Sequence, residues 1–143
     1  MVYMLLGTGF EETEAIAPLD LLRRAGVEVM TVGVNGKIVY GSHNIGIEAD
    51  ITLDQMDLSD MEMIILPGGL GGVASIRGSE EAMNAIKFAA DNGKFTAAIC
   101  AGPTVLADLV SPTASWPPAI PAARTEWETH RWLPMQLLSG MDW

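Results

Sequence analysis

Cysteine is almost missing from this 143-residue chain: Cys100 stands alone, so no intramolecular disulfide can form, and two histidines beside it cannot build an ordinary structural zinc site. The expectation is a reducing, cytoplasmic protein without a metal or other cofactor. Positive charge is scarce as well, with 8 Lys plus Arg against 18 Asp plus Glu and a formal net charge of -10. No basic stripe exists to neutralise phosphates, which excludes nucleic acid as an expected partner. No apolar run approaches the ~20 residues of a membrane span, and the start Met1 to Gly7 carries neither a basic leader nor a full-length signal core. Neither export nor membrane spanning is expected. Repeats and low-complexity tracts are lacking too, and the glycines from Gly68 to Gly72 have neither G-x-G-x-x-G spacing nor a P-loop lysine, so phosphate cradling is unsupported.

What remains is globular composition, 49% hydrophobic and 18% charged, at a length suited to one domain. Up to Val110 short apolar runs alternate with helical patterns, the signature of an α/β protein with a parallel sheet covered by helices. Val2 to Leu6 reads as a buried first strand ending at Gly7-Thr8-Gly9. Glu11, Glu12 and Glu14 then sit at a helix start, Ile16, Leu19 and Leu22 recur at helical spacing, and Gly26 stops the run, with Pro18 marking its first turns or a kink. Val27 to Val34 reads as strand two, Lys37 to Tyr40 and Asn44 to Ile47 as a hairpin, and Asp50 to Asp60 as an acidic connector. Met63 to Leu66 is a further buried strand broken by Pro67-Gly68-Gly69. Ser79 is placed to cap a helix carrying Met83, Ile86 and Ala90 that ends at Asn92-Gly93, and Phe95 to Ile99 is a strand running into Cys100.

Cys100 thus lies between a β run and a helical run begun by Pro103, the layout of a nucleophile elbow. In such a corner the backbone is strained, small neighbours avoid clashes, and a helix N-terminus offers partial positive charge beneath the sulfur. The residues alone also permit an inert, buried thiol. Likewise they leave Glu14 as one member of an acidic helix start.

Four segments in order change that balance: Gly9-Phe10-Glu11-Glu12-Thr13-Glu14-Ala15, Asp20-Leu21-Leu22-Arg23-Arg24-Ala25-Gly26, Leu66-Pro67-Gly68-Gly69 and Ala97-Ala98-Ile99-Cys100-Ala101-Gly102-Pro103. Together they resemble the ThiJ/PfpI (DJ-1) family over residues 1 to about 110. The resemblance implies a flavodoxin-like three-layer sandwich that forms homodimers. It implies Cys100 as the reactive cysteine and Glu14 as its partner acid, which when protonated can donate a hydrogen bond to a thiolate and shuttle protons. Gly69 and Ala101 match positions whose backbone N–H groups form an oxyanion pocket. His43 falls where relatives carry Arg or His near the pocket mouth or dimer seam, so it is either a substrate contact or an exposed turn residue. Asp20 and Arg24 belong to the dimer face or to a solvated helix face.

The activity implied is that of a cofactor-independent glyoxalase III-like lyase or protein deglycase, acting on small reactive aldehydes or their adducts through Cys100. The alternative is a redox-responsive, chaperone-like sensor using the same cysteine in an oxidative-stress role. A peptidase lacks a matched histidine.

The resemblance ends near Val110. Of 15 glycines, 14 precede residue 111, whereas all four tryptophans and five of eight prolines follow it. The further strands, Gly-Pro-Gly-Thr-like turn and final helix of the family are unrecognisable in residues 111–143, and the environment of His130 matches nothing in it. With suitable codons, a one-base shift from Pro118 reads Cys-Tyr-Pro-Gly-Cys-Glu-Asp-Gly, which is family-like. An out-of-frame translation and a divergent genuine C-terminus both account for this tail. Losing native elements would uncover apolar surface at roughly 25 cal/mol per Å², against a total stability of ~5–15 kcal/mol. Resequencing the locus separates the readings: a frame error is expected to restore a chain about 40 residues longer, the common size of one domain, whereas a confirmed frame makes the tail genuine.

Overall fold

Side chains of Val2–Leu6 alternate between two apolar layers, and that alternation organises residues 1–110, the part of the chain described by a computed structural model. In chain order the elements begin with β1 (Val2–Leu6), α1 (Glu12–Arg24), β2 (Val29–Gly33), β3 (Ile38–Tyr40), β4 (Gly46–Glu48) and β5 (Ile51–Thr52). They continue with β6 (Met63–Leu66), α2 (Leu70–Arg77), α3 (Glu80–Asp91), β7 (Phe95–Ala98) and α4 (Pro103–Val110). The main sheet is parallel with strand order β5-β2-β1-β6-β7, and β3 and β4 form a separate antiparallel hairpin.

Tyr3 and Leu5 join Val32, Ile64 and Leu66 beneath α2, α3 and α4, where Ile76, Ile86 and Val105 are fully buried. Val2, Met4 and Leu6 point the other way, onto Ala15 and Leu19 of α1 and onto Val39 of the hairpin. A strand buried on both faces has no polar side to alternate, so all five residues of β1 are apolar. The result is the expected three-layer α/β sandwich.

Local sequence fixes the helix ends. Glu12 and Glu14 lie in the first turn of α1 and Arg23 and Arg24 in its last, each sign matching the helix dipole, and the helix runs through Pro18. The Ser79 hydroxyl accepts from the Ala82 N–H and caps α3, which stops before Gly93 at φ +63°. The α1 C-terminus is tied to the sheet by Asp50, whose carboxylate accepts from the Thr31 N–H and hydroxyl and from Arg23. Burial pushes that carboxyl up, but the bonds from Thr31 and the Arg23 charge hold it below its usual value.

Three expectations shift. Strand two is shorter than Val27 to Val34, because Val27 N–H bonds back to the Leu22 carbonyl and so completes the end of α1. The acidic connector contains the edge strand β5 and two one-turn 3₁₀ segments, Leu53–Gln55 and Leu58–Asp60, capped by Thr52 and Asp57. A two-residue strand is too short to show a period. Helix α2, unassigned in the sequence reading, forms despite Gly71 and Gly72 because it must lie against the β1 loop. A Cβ on Gly72 would stand 2.7 Å from the Phe10 Cα. The tail reading for 111–143, including His130, lies outside the described residues.

The burial pattern makes a stability test. Leu5→Ala, at a position with no exposure, is expected to destabilise the fold by about 2–5 kcal/mol. Leu21→Ala, where the side chain is 65% exposed, should stay within about 0.5 kcal/mol. Urea unfolding midpoints of the two variants check this; equal losses would contradict the layer assignment.

Candidate active site

Parallel strands β1, β6 and β7 end on the same edge of the sheet, so the loops that follow them meet there. The chain winds from β1 outward through β2 to β5, then returns to the other side for β6 and β7. In open α/β sheets such a reversal leaves a crevice at the carboxyl ends of the strands. The loops at this crevice carry Gly9 to Glu11, Pro67 to Gly69 and Ile99 to Gly102.

Cys100 is exposed and has φ +57°, one of two non-glycine residues with positive φ among those described. That backbone state costs of order 1–3 kcal/mol and persists only where surroundings impose it. They do so through Ile99 N–H to the Leu66 carbonyl at 3.2 Å and Gly102 N–H to the Ile99 carbonyl at 2.8 Å. Past the corner, the Thr104 hydroxyl donates to the Ala101 carbonyl at 2.6 Å, starting α4. Gly102 is needed because a Cβ there would stand 2.6 Å from the Leu66 carbonyl oxygen.

Gly68 is where the other two loops meet the cysteine. Its N–H donates to Glu14 Oε2 at 2.9 Å, and its carbonyl accepts from the Glu11 N–H at 3.0 Å. A Cβ on Gly68 would lie 2.4 Å from Glu14 Oε2 and 2.8 Å from Cys100 Cβ. Glu14 and Cys100 therefore pack against the same bare face of Gly68, a closeness that only the absence of a side chain there allows. Among the described residues no hydrogen bond joins their side chains directly; the partner of Glu14 is the Gly68 N–H. The sequence reading missed Gly68, and its only signal was a second glycine in Pro67-Gly68-Gly69.

Gly69 follows at φ +89°, where a Cβ would meet the Gly9 carbonyl oxygen at 2.5 Å. Among the described residues neither the Gly69 nor the Ala101 N–H has a hydrogen-bond acceptor. Both adjoin this junction in sequence, one after Gly68 and the other after Cys100. Backbone donors without partners are uncommon away from water or a ligand. A groove of about 450 Å³ begins at Ala101 and runs between α2 and α4 past Leu70, Val73, Thr104 and the Arg77–Asp108 ion pair; Cys100 and Glu14 are not among its walls.

His43 is exposed at the tip of the β3–β4 hairpin and belongs to a different cluster. Its Nδ1 lies 2.9 Å from Glu12 Oε2 and 3.7 Å from Glu11 Oε1, its N–H donates to Glu12 Oε1 at 2.7 Å, and the Ser42 hydroxyl donates to Glu11 at 2.9 Å. Burial pushes the Glu12 carboxyl up, yet the His43 ring, backbone donors and Ser42 outweigh it and hold the group at about 2. The Glu12 hydrogen bond, with the Glu11 charge, raises His43 above its ordinary value. These atoms are engaged with one another and with Ser42, so the cluster is a hydrogen-bonded clasp, and no metal centre is assigned to it. Asp20 and Arg24 form an exposed ion pair with each other at 2.8 Å.

Comparison with known proteins follows the same outline. The DJ-1/PfpI family profile matches residues 1–111. DJ-1beta of Drosophila melanogaster is 39% identical over 105 residues, 73% of this chain and 56% of that protein. Its crystal structure superposes with a TM-score of 0.71 over 76% of this chain and 59% of that one. A protein of Thermococcus kodakarensis named as a deglycase is 31% identical over 73% of this chain and 63% of its own length. The oxidised form of Toxoplasma gondii DJ-1 is 34% identical, with a TM-score of 0.68 over 73% of this chain and 57% of that one. This chain thus matches little more than half the length of those relatives. A shared profile over the whole described region, the same fold and identities above 30% place the chain in the DJ-1/PfpI family.

Proposed function

We propose that this chain carries the active site of a cofactor-independent cysteine enzyme of the glyoxalase/deglycase type, acting on small reactive aldehydes such as methylglyoxal or their early adducts. The observation that supports it most is the junction at Gly68, where Cys100 and Glu14 pack against the same bare backbone and where, among the described residues, the Gly69 and Ala101 N–H groups have no acceptor. Relatives named as deglycases support the same class.

The chemistry closes with these groups alone. The Cys100 thiolate adds to the aldehyde carbon, forming a C–S bond, and the carbonyl electron pair moves onto oxygen, where the Gly69 and Ala101 N–H groups stabilise it. Glu14 in its acid form gives that oxygen a proton, which yields a hemithioacetal and leaves the carboxylate. The Glu14 carboxylate then removes the C–H proton to give an enediolate and returns it to the neighbouring carbon, while the hydroxyl proton passes to the adjacent oxygen, leaving a thioester on Cys100. Water then releases the hydroxy acid and the free thiol, so methylglyoxal and water become lactate.

A second reading is favoured by the exposure of the thiol: Cys100 as a peroxide-sensitive switch of a redox-responsive or chaperone-like protein. The same assignment takes residues 1–110 as the family domain, incomplete on its own, working in the cytoplasm. Among the described residues no helix is long and apolar enough to cross a membrane. A homodimer is part of the proposal, supported by exposed Ile38 and Tyr40, which share the outer face of β3, and by exposed Ile45.

Purified protein is expected to form lactate from methylglyoxal without glutathione or metal. Cys100→Ser should abolish turnover, and Glu14→Gln should lower it by about 10²–10⁴-fold. Gly68→Ala, whose Cβ would stand 2.4 Å from Glu14 Oε2 and 2.8 Å from Cys100 Cβ, should displace both groups, lowering turnover and fold stability together. Undiminished turnover by Cys100→Ser would sink the mechanism. Rapid dioxidation of Cys100 by mild peroxide, with negligible turnover, would favour the sensor instead. Light scattering should report a dimer at micromolar concentration, and Tyr40→Glu should weaken it; a compact wild-type monomer would contradict that assignment.

A further inference from the structure

The hairpin tip reaches the Gly68 junction through bonds that lie outside the reacting groups. Three backbone links join hairpin to β1 loop and β1 loop to Gly68: Gly9 N–H to the Tyr40 carbonyl at 2.7 Å, Ser42 N–H to the Phe10 carbonyl at 2.8 Å, and Glu11 N–H to the Gly68 carbonyl at 3.0 Å. Gly68 in turn holds Glu14 through its own N–H. The side chains of Glu12 and His43 close this arrangement from the solvent side.

We propose that the Glu12–His43 clasp is a positioning device for the candidate active site, locking the hairpin tip against the first turn of α1 and thereby setting where Gly68 presents its N–H to Glu14. The Glu12 side chain is only 10% exposed, although it is ionic, and it enters beneath the hairpin because Gly41 has no Cβ; one there would stand 2.3 Å from Glu12 Oε1. A nearly buried carboxylate needs its donors. Three of them come from the hairpin tip: the His43 N–H, the His43 ring and the Ser42 hydroxyl. The His43 ring is 70% exposed, so the pair adds little to global stability, and its effect is local placement.

The device depends on pH in a defined direction. The ionisable groups facing His43 are Glu12, in the first turn of α1, and Glu11, its N-cap; the hairpin contributes the Ser42 hydroxyl, and among the described residues no lysine, arginine or further carboxylate pairs with the ring. Glu12 is held at about 2 and stays ionised through the accessible range. His43 is raised, so the charged clasp is fully present below the ordinary histidine value and is lost as pH rises through the raised one.

This inference deepens the proposed catalytic reading, and its test separates the two. In ¹⁵N spectra of the full chain, the Gly68 amide should show a step with the midpoint of the His43 ring, above the ordinary histidine value. His43→Arg should remove the step and leave Gly68 in its low-pH position, and His43→Asn should remove it in the high-pH position. A step that persists in both variants, or a wild-type Gly68 amide that ignores the titration of His43, would overturn the proposal whether or not aldehyde turnover occurs. Where turnover is measurable, kcat should change at least about twofold across the same midpoint, the lower end of coupling through such networks, and His43→Arg should flatten that limb. An unchanged limb in His43→Arg would also overturn it, while absence of turnover in wild type counts against the catalytic reading alone.

Discussion

The missing side chain at Gly68 is the constraint on which the described structure converges. Three strands deliver three loops to one sheet edge, and those loops can meet only if the central one presents bare backbone. Gly68 does so, donating to Glu14, accepting from Glu11 and leaving Cys100 room on the same side. The neighbouring glycines extend the principle: Gly69, Gly72 and Gly102 each let one loop or helix approach backbone that a Cβ would hit below 3.0 Å. Close approach of backbone is how a small sheet brings a thiol and a carboxyl together without long side chains.

Much of this was legible before any coordinates. The boundaries of β1 and β6 follow directly from five- and four-residue apolar runs closed by glycine or proline, and the Ser79 cap of α3 from its position before an amphipathic run. The Cys100 corner was legible as a strand meeting a Pro-started helix, and its positive φ is the strain that such a corner implies. What the residues hid was of two kinds. Helix α2 and strand β5 carry no usable period, since glycine-rich helices and two-residue strands depend on what they pack against. The second kind is proximity: nothing in the one-dimensional order says that Glu14 and Cys100 flank Gly68, or that His43 bonds Glu12.

Charge explains the division of labour among the three glutamates at the start of α1. Glu11 and Glu12 turn toward the hairpin and share His43 and Ser42, whereas Glu14 turns toward Gly68. Helical spacing separates Glu12 from Glu14, because residues two apart on a helix do not share a face, whereas Glu11 precedes the helix in extended conformation as its N-cap. An acidic helix start, the bland reading of those residues, is therefore two distinct pieces of structure. Within a chain of net charge -10, a single histidine at the hairpin tip supplies the cation between Glu11 and Glu12.

The central claim is that Cys100 and Glu14, packed against the same Gly68 backbone, act in sequence on one aldehyde. Peptide mass spectrometry after an acid quench tests it most directly, comparing wild type with Glu14→Gln during exposure to methylglyoxal. The account predicts a covalent adduct of one methylglyoxal on the Cys100 peptide, accumulating in Glu14→Gln and scarce in wild type because Glu14 moves it onward. Equal adduct levels in the two proteins, or modification confined to arginine and lysine, would contradict it.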